Sequence, residues 1–335
     1  FILKSISASD WIISLICDGI IAGIGSIMSF LPQIIILFFL LSILEDSGYM
    51  VRVAFILDRI MRPFGLGGKA FIPLVIGFGC SVPAIMSART IDSQRERKLT
   101  ILVAPFMSCS ARLPIYILFT GVFFKEKQQV VVFCMYLLGA VVALLSGLIL
   151  SRTVVKGEKS EFLLEIPPYR FPTLKNILLH VWERVWDFVE RAGTIIFIAS
   201  VAVWFCQKFT FGLQFADQEN SIISSIGKLV APIFKPLGFG DWRASAALIT
   251  GLAAKEMVVA TLNIIGGNIQ NIFTNASAIS YMVFTLLYIP CFATIAAIKN
   301  ELKSTKWAAF AAIYQLTAAW VVSFAIYTLL RMVQI

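Results

Sequence analysis

The chain has 335 residues, of which 59% are hydrophobic and only 14% are charged, and its formal net charge is +9. Its mean hydropathy is +0.87. Because soluble domains carry about 25% charged residues, this composition excludes an ordinary soluble protein and predicts an all-α integral membrane protein. The positive charge lies in short loops between apolar runs, where it sets membrane orientation, so it does not indicate nucleic-acid binding.

The apolar and amphipathic runs predict a polytopic helical bundle. In chain order the predicted segments are 11–28, 32–44, 49–62, 70–88, 99–120, 129–151, 174–191, 193–206, 222–235, 244–263, 279–298 and 307–330. The longest polar stretch, 152–173, separates two halves. We predict a first transmembrane half at 1–151, a cytosolic linker with an amphipathic helix at 152–192, and a second half at 193–335. The chain begins at Phe1 without a signal-peptide pattern, so we expect a piece of a longer protein.

The basic loops predict the orientation of the first half. Loops 89–98 and 152–175 are both positive and are expected on the cytoplasmic side, with two spans forming a hairpin between them. The path of segment 244–263 stays open. If it crosses the membrane, the basic loop 299–306 falls outside, against the positive-inside rule; if it is re-entrant, the charges agree.

An internal repeat relates the two halves. Residues 62–67, RPFGLG, resemble residues 235–240, KPLGFG. On this register an interrupted segment at 77–83 lies opposite another at 251–256. Interrupted apolar segments in corresponding positions of two halves point to the binding site of a transporter. We therefore predict two pseudo-repeat halves that contain broken or re-entrant helices.

The first interruption has the sequence GFGCSVP, which begins at Gly77 and ends at Pro83. Pro83 removes an amide donor and frees the carbonyl of Gly79 from its helical partner. Gly77 and Gly79 permit close backbone approach. The thiol of Cys80 is expected at the mouth of this break as a metal ligand. The alternative is a packing kink in which the thiol is a small apolar filler.

A second proline-flanked run lies in the next apolar segment. It combines a thiol, two hydroxyls and a cation between two prolines: Pro105, Ser108, Cys109, Ser110, Arg112 and Pro114. Mixed sulfur and oxygen ligands suit Fe(II), Zn(II), Co(II) or Mn(II). An arginine in such a run is costly unless it faces a cavity or pairs with an acid. The alternative is a kinked helix in which serines bond back to the backbone.

Further candidates are weaker. Cys291 follows a proline between apolar runs, and its thiol is explained equally well as a metal ligand or as a packing group. Glu256 lies in an apolar segment just after the break at Gly251, and it is a candidate carboxylate ligand or proton carrier. Lys255 is expected to pair with Glu256 or with a break carbonyl. Glu45 ends the second apolar segment, either as part of an acidic mouth for metal or as an interfacial cap.

Other chemistries are excluded by what the sequence lacks. His180 is the only histidine, so a histidine-rich metal site is excluded. The six cysteines are scattered without paired spacing, so no disulfide framework is expected. No nucleotide-binding or hydrolytic motif occurs, and we predict that this chain is not itself an enzyme. Two thiols at two helix breaks predict the core of a transition-metal transporter.

Phrases along nearly the whole chain resemble the bacterial ferrous iron transport protein B family (FeoB). They are LEDSGYMVRVAF at 44–55, GFGCSVPAIMSART at 77–90, LTILVAPFMSCSARLPIY at 99–116, ERAGTIIF at 190–197, GLAAKEMVV at 251–259 and YIPCFATIAAIKNE at 288–301. The resemblance implies two Gate halves, Fe(II) as the transported substrate and a bacterial inner-membrane location. It also implies that Cys80, Cys109 and Cys291 are iron-path thiols. Ser81 stands where the family often has Asn, so that position is not counted as a ligand.

The resemblance also implies partners. The family normally carries a cytosolic GTP-binding domain ahead of this region, so GTP is expected only through that domain. Membrane lipid, small accessory Feo proteins and further copies of the chain are the other implied partners. Two rival functions stay open: a nucleoside or other solute permease of Gate type, which would not depend on the thiols, and a metal-sensing membrane protein, which would bind metal without passing it.

Overall fold

The structure is a computed structural model that describes residues 14–155, 169, 173–210, 221–265 and 269–332. Within these ranges the regular elements are helices. The predicted linker 152–173 and connector 207–221 lie mostly outside the described residues, so the domain boundaries placed there stay predictions.

The first half begins with one long helix. A π-helical turn at Leu15–Ile21 leads into α1, Ala22–Asp46, with Pro32 inside it. The prediction of two separate segments, 11–28 and 32–44, was therefore wrong. A proline is tolerated within a membrane helix because neighbouring groups satisfy the freed backbone, and here it does not end the helix.

Seven more helices follow α1 up to the amphipathic helix. They are α2 (Tyr49–Met61), α3 (Phe71–Gly79), α4 (Ser81–Ser87), α5 (Gln94–Val103), α6 (Leu113–Phe123), α7 (Gln128–Thr153) and α8 (Leu174–Phe188). The second half contains α9 (Thr194–Lys208), α10 (Ile222–Phe234), α11 (Trp242–Thr250), α12 (Met257–Ile265), α13 (Asn275–Leu287), α14 (Phe292–Leu302) and α15 (Thr305–Met332).

The predicted repeat is present in the element order. Helices α2 to α7 correspond in turn to α10 to α15, with a break after α3 and α11 and another after α5 and α13. The two matching sequences each form a short 3₁₀ turn that ends in a left-handed glycine, Gly65 at φ 79° and Gly238 at φ 87°. Only glycine adopts this backbone without strain, which is why the repeat keeps it in both halves.

The first hairpin is re-entrant. Helices α3 and α4 fold back on each other at Cys80. The ammonium of Lys69, just before α3, lies 2.6 Å from a carboxylate oxygen of Asp92, which follows α4. Both ends of the hairpin therefore lie on one face of the bundle. We call it the basic face because it carries Lys69, Arg89, Arg95 and Arg97.

The second hairpin enters from the opposite face. Helices α11 and α12 pack together through the hydroxyls of Thr250 and Thr261, which lie 2.9 Å apart. The turn before α11 packs against Tyr327, near the end of α15 that is far from the basic face. Residue Gln270, after α12, shares a pocket with Phe123 at the end of α6. The two hairpins therefore have inverted topology, an arrangement that places their tips near the membrane midplane.

This arrangement settles the path of segment 244–263. The carboxylate of Glu301 accepts hydrogen bonds from Arg89 Nε at 2.7 Å and Arg97 Nη2 at 2.9 Å. The loop after α14 therefore lies on the basic face together with loop 89–98. The re-entrant alternative is the one that the structure adopts, in agreement with the positive-inside rule.

Several helices of the bundle are long and apolar enough to cross a membrane. Four stretches within the described residues qualify: Gln94–Phe123, Gln128–Thr153, Asn275–Leu302 and Thr305–Met332. Two further helix pairs pass the same test but are sharply bent, as broken spans or re-entrant loops are: Leu31–Asp46 with Tyr49–Phe64 at 82° and Ile222–Leu237 with Trp242–Thr250 at 106°. The first and third of the four spans contain the breaks that carry Cys109 and Cys291. The fold is thus an all-α, multi-pass membrane bundle.

Candidate metal cavity at the helix breaks

A cavity of about 290 Å³ lies where the hairpin tips meet the broken spans. Cys80 lines it from the first hairpin, and Glu256 lines it from the second. Cys109 and Cys291 line it from the breaks after α5 and α13. Four interruptions that are remote in sequence therefore line one cavity.

Each of the three thiols occupies the same kind of backbone position. Cys80, Cys109 and Cys291 are extended residues that immediately precede a helical turn, with φ and ψ of −150° and 134°, −72° and 157°, and −57° and 156°. All three are half-buried and unoxidised. Each thiol therefore lies next to the first backbone amides of a helical turn, which have no intrahelical partner.

The first break is tied to the second by a hydroxyl. Pro83 cannot donate to Gly79, as the sequence predicts, and the freed carbonyl accepts a hydrogen bond from Ser110 Oγ at 2.9 Å. The Gly79 carbonyl is therefore satisfied inside the protein, as membrane depth requires. Ser110 lies at the cavity wall and holds the thiol-bearing breaks together.

Arg112 closes the second break. Its side chain is 1% exposed and faces the cavity. Nη1 donates to the Met107 carbonyl at 2.9 Å and Nη2 to the Pro105 carbonyl at 3.3 Å, while Nε is buried without a partner. Arg112 therefore faces a cavity, as expected for an arginine within an apolar run. It also donates to backbone carbonyls that the break leaves without a helical partner. Pro114 lies in the first turn of α6, where proline is well tolerated.

Lys255 and Glu256 have different environments although they are adjacent. The ammonium of Lys255 donates to the Ile289 carbonyl at 2.9 Å and lies 3.3 Å from the centroid of the Tyr288 ring. Of the two partners expected for Lys255, the structure has the break carbonyl. Glu256 Oε1 is buried and makes no hydrogen bond, so it is an uncommitted oxygen at the cavity wall.

Close packing at two glycines holds the breaks in place. A Cβ at Gly251 would lie 2.4 Å from Val258 Cγ2 and 2.5 Å from the Tyr288 hydroxyl. A Cβ at Gly77 would lie 3.0 Å from Met107 Cβ. Each hairpin thus approaches the broken span of its own half through a glycine.

Some predicted residues lie elsewhere. The Ser108 hydroxyl is fully buried and lies 3.0 Å from the Tyr116 hydroxyl, outside the cavity lining. Glu45 lies at the basic face and accepts a hydrogen bond from Arg184 Nη2 at 2.7 Å. His180 is exposed on α8. None of these three joins the thiols.

Two polar residues of the cavity lining were not predicted from the sequence. Thr294 Oγ1 lies 3.2 Å from Cys291 Sγ, and Gln33 of α1 faces the cavity. Thr294 follows the cysteine by three positions at the start of a helix, a spacing that brings side chains together. Gln33 is an amide within an apolar run, which is the other available signal.

The thiols share a cavity but do not form a preassembled cluster. Among the described residues, no group of three or more His, Cys, Asp or Glu side chains is placed to hold a metal ion. An ion in this cavity would therefore meet its ligands singly or in pairs, unlike an ion in a closed structural site.

Two protein-family models match this chain. The Gate family model, described as nucleoside recognition, matches residues 27–123 and 189–305, one segment in each half. The model of the ferrous iron transport protein B C terminus matches residues 132–184. No solved structure matches the chain. The fold, the inverted hairpins and this match define a multi-pass membrane protein of Gate type.

Several curated proteins are similar to this chain over nearly its whole length. A Staphylococcus aureus protein named Fe(2+) transporter FeoB is 47% identical, over 97% of this chain and 50% of its own length. The Methanocaldococcus jannaschii protein of the same name is 45% identical, over 97% and 51%. A Porphyromonas gingivalis Fe(2+) transport protein A/Fe(2+) transporter FeoB fusion protein is 40% identical, over 93% and 44%. The chain belongs to the FeoB family, and it spans about half the length of these relatives.

Proposed function

We propose that the chain is the membrane permease part of a bacterial inner-membrane Fe(II) transporter, and that Fe(II) passes through the cavity at the helix breaks. The observation that carries this proposal is the convergence of Cys80, Cys109 and Cys291 on one cavity. Thiols bind borderline metal ions in preference to hard ones. The names of the curated relatives agree with Fe(II) as substrate.

Loose coordination is suited to passage. A transported ion must bind well enough to enter and weakly enough to leave. Single thiols, the Glu256 carboxylate and water would share the ion, and the lack of a preassembled cluster among the described residues supports such weak, sequential binding. Affinity alone favours Cu and Zn over Fe(II), so selectivity rests on geometry and metal availability.

A guanidinium at the cavity wall moderates this binding. The Arg112 side chain is always charged and donates to a break carbonyl, as does the amine of Lys255. A divalent ion is repelled by the guanidinium at short range. The cavity thiols and the Glu256 oxygen that makes no hydrogen bond are the ligands that would offset this repulsion.

The same proposal extends to coupling and partners. GTP would act through the family's GTP-binding domain, since the chain has no nucleotide motif of its own. A FeoA-type protein is a further proposed partner, because one relative is named as a fusion of the two proteins. Membrane lipid and further copies of the chain are the other proposed partners.

Fe(II) uptake should depend on each cavity thiol. In full-length protein reconstituted into liposomes under reducing conditions, Cys80→Ser, Cys109→Ser and Cys291→Ser should each lower the initial uptake rate by about 10–100-fold, the range that weaker metal ligation produces. Cys134→Ser is the matched control, because Cys134 is exposed on α7 and outside the cavity. Uptake is measured with and without an excess of nucleoside.

The outcomes separate the rival functions. Unchanged uptake in all three cavity variants contradicts the thiol path. Inhibition of uptake by nucleoside, or nucleoside transport that survives in the variants, favours an organic-solute permease. Metal binding without uptake in correctly inserted unmodified protein favours a sensor.

A further inference from the structure

A narrow passage leads from the thiol cavity towards the basic face. It runs between α4 and α14, and it shares Val82 and Ala293 with the cavity. Its volume is about 20 Å³, close to the least that holds one water molecule. In this conformation the passage is therefore closed to a metal ion with any of its water shell.

The walls of this passage differ in size. The α14 side presents the small side chains of Ala293, Ala296 and Ala297, the α4 side presents Val82 and Met86, and Ile195 of α9 also lines the passage. Alanines leave no long side chain to fill the space if the two helices separate. A modest movement of α4 from α14 would thus open a continuous path from the cavity.

An ion cluster lies at the outer end of the passage, and in it Glu301 is buried while the Arg89 and Arg97 side chains are 45% and 31% exposed. The side chain of Glu301 is 4% exposed, and its carboxylate accepts hydrogen bonds from Arg89 and Arg97. The arginines belong to the first half, and Glu301 lies in the last turn of α14 in the second half. The cluster joins the two halves at the point where the passage meets the basic face.

We propose that the transported ion leaves the cavity between α4 and α14, and that the Arg89–Glu301–Arg97 cluster is the gate that closes this exit. The identity of the ion rests on the proposed function above. The route and the gate rest on the passage and the ion cluster. Breaking the cluster shifts the population from a closed to an open state without changing the cavity itself.

Thiol labelling tests the gate without iron. Full-length protein that retains Cys291 as its one cysteine is labelled in oriented vesicles with a membrane-impermeant cationic thiol reagent. Glu301→Gln should raise the labelling rate of Cys291 from the basic face by about tenfold, a shift typical of a lost coupling between sites. The rate from the opposite face should stay unchanged. Asp92→Asn is the matched control, because Asp92 pairs with Lys69 on the same face but is 85% exposed.

The labelling outcomes are decisive in both directions. A basic-face rate that matches the Asp92→Asn control overturns the gate. An equal rise from both faces also overturns it, because that pattern reports general loosening of the bundle. Since no iron is used, a failure of Fe(II) transport leaves this result standing.

A steric plug tests the route independently. Ala296 is half-buried in the passage wall, so Ala296→Phe fills the passage while Ala296→Ser does not. The phenylalanine variant should lose at least about tenfold in Fe(II) uptake while Cys291 is still labelled from the opposite face at the normal rate. Uptake equal to that of Ala296→Ser shows that the ion leaves elsewhere and overturns the route.

Discussion

Replacing Arg112 with methionine is expected to destabilise the membrane fold by about 2–6 kcal/mol. The guanidinium satisfies the carbonyls of Pro105 and Met107, and each buried carbonyl left without a donor costs about 1–3 kcal/mol. Methionine fills much of the same volume, so the loss reports hydrogen bonding rather than a cavity. The measurement is the thermal unfolding midpoint of the purified protein in detergent.

Two further variants give this experiment its controls. Arg112→Lys keeps the positive charge but cannot bond two carbonyls with one planar group, so its midpoint should lie between those of the unmodified protein and Arg112→Met. Arg59→Met removes an exposed arginine of α2 and should change stability by no more than about 0.5 kcal/mol. Equal midpoints for Arg112→Met and Arg59→Met would mean that the break does not depend on Arg112.

Glu256→Gln should stabilise the metal-free protein and impair transport. Glu256 Oε1 is buried without a hydrogen bond, and a buried carboxylate oxygen that lacks a partner is costly. An amide of the same shape removes the charge, so the unfolding midpoint should rise by an amount equivalent to about 1 kcal/mol. It also removes the cavity's carboxylate ligand, so Fe(II) uptake should fall by about tenfold or more.

The opposite signs make this prediction specific. A residue that only supports the fold would lose stability and transport together. Glu126→Gln, in the exposed loop between α6 and α7, is the matched control and should change neither quantity. Lower stability in Glu256→Gln, or normal uptake, would show that Glu256 is a structural group rather than a ligand.

Local chemistry along the chain predicted the breaks well. Glycine and proline within apolar runs mark the points where a helix cannot continue, and the structure interrupts its helices at Cys80 and around Cys109. The repeated RPFGLG and KPLGFG sequences predicted the two pseudo-repeat halves, and each forms a turn that ends in a left-handed glycine. The inverted orientation of the two hairpins was not predicted. Arg112 was expected to face a cavity or pair with an acid, and it faces the cavity. Lys255 was expected to pair with Glu256 or with a break carbonyl, and it donates to the Ile289 carbonyl.

Contacts between segments that are remote in sequence could not be predicted from local sequence patterns. Arg89 and Glu301 are 212 positions apart, and their pairing follows only from the packing of α4 against α14. The Ser110 bond to Gly79 depends likewise on how the first hairpin meets the second break. Pro32 led to the wrong prediction of two separate segments, because a membrane helix tolerates proline where neighbouring groups satisfy the freed backbone.

The central claim is that Fe(II) is bound by thiols at the helix breaks while it crosses the protein. Iron K-edge X-ray absorption of the full-length protein loaded with Fe(II) under reducing conditions measures this directly. The account predicts sulfur in the first coordination shell, retained in Cys134→Ser and lost when Cys80, Cys109 and Cys291 are all replaced by serine. A first shell of oxygen and nitrogen alone in the unmodified protein would contradict the account.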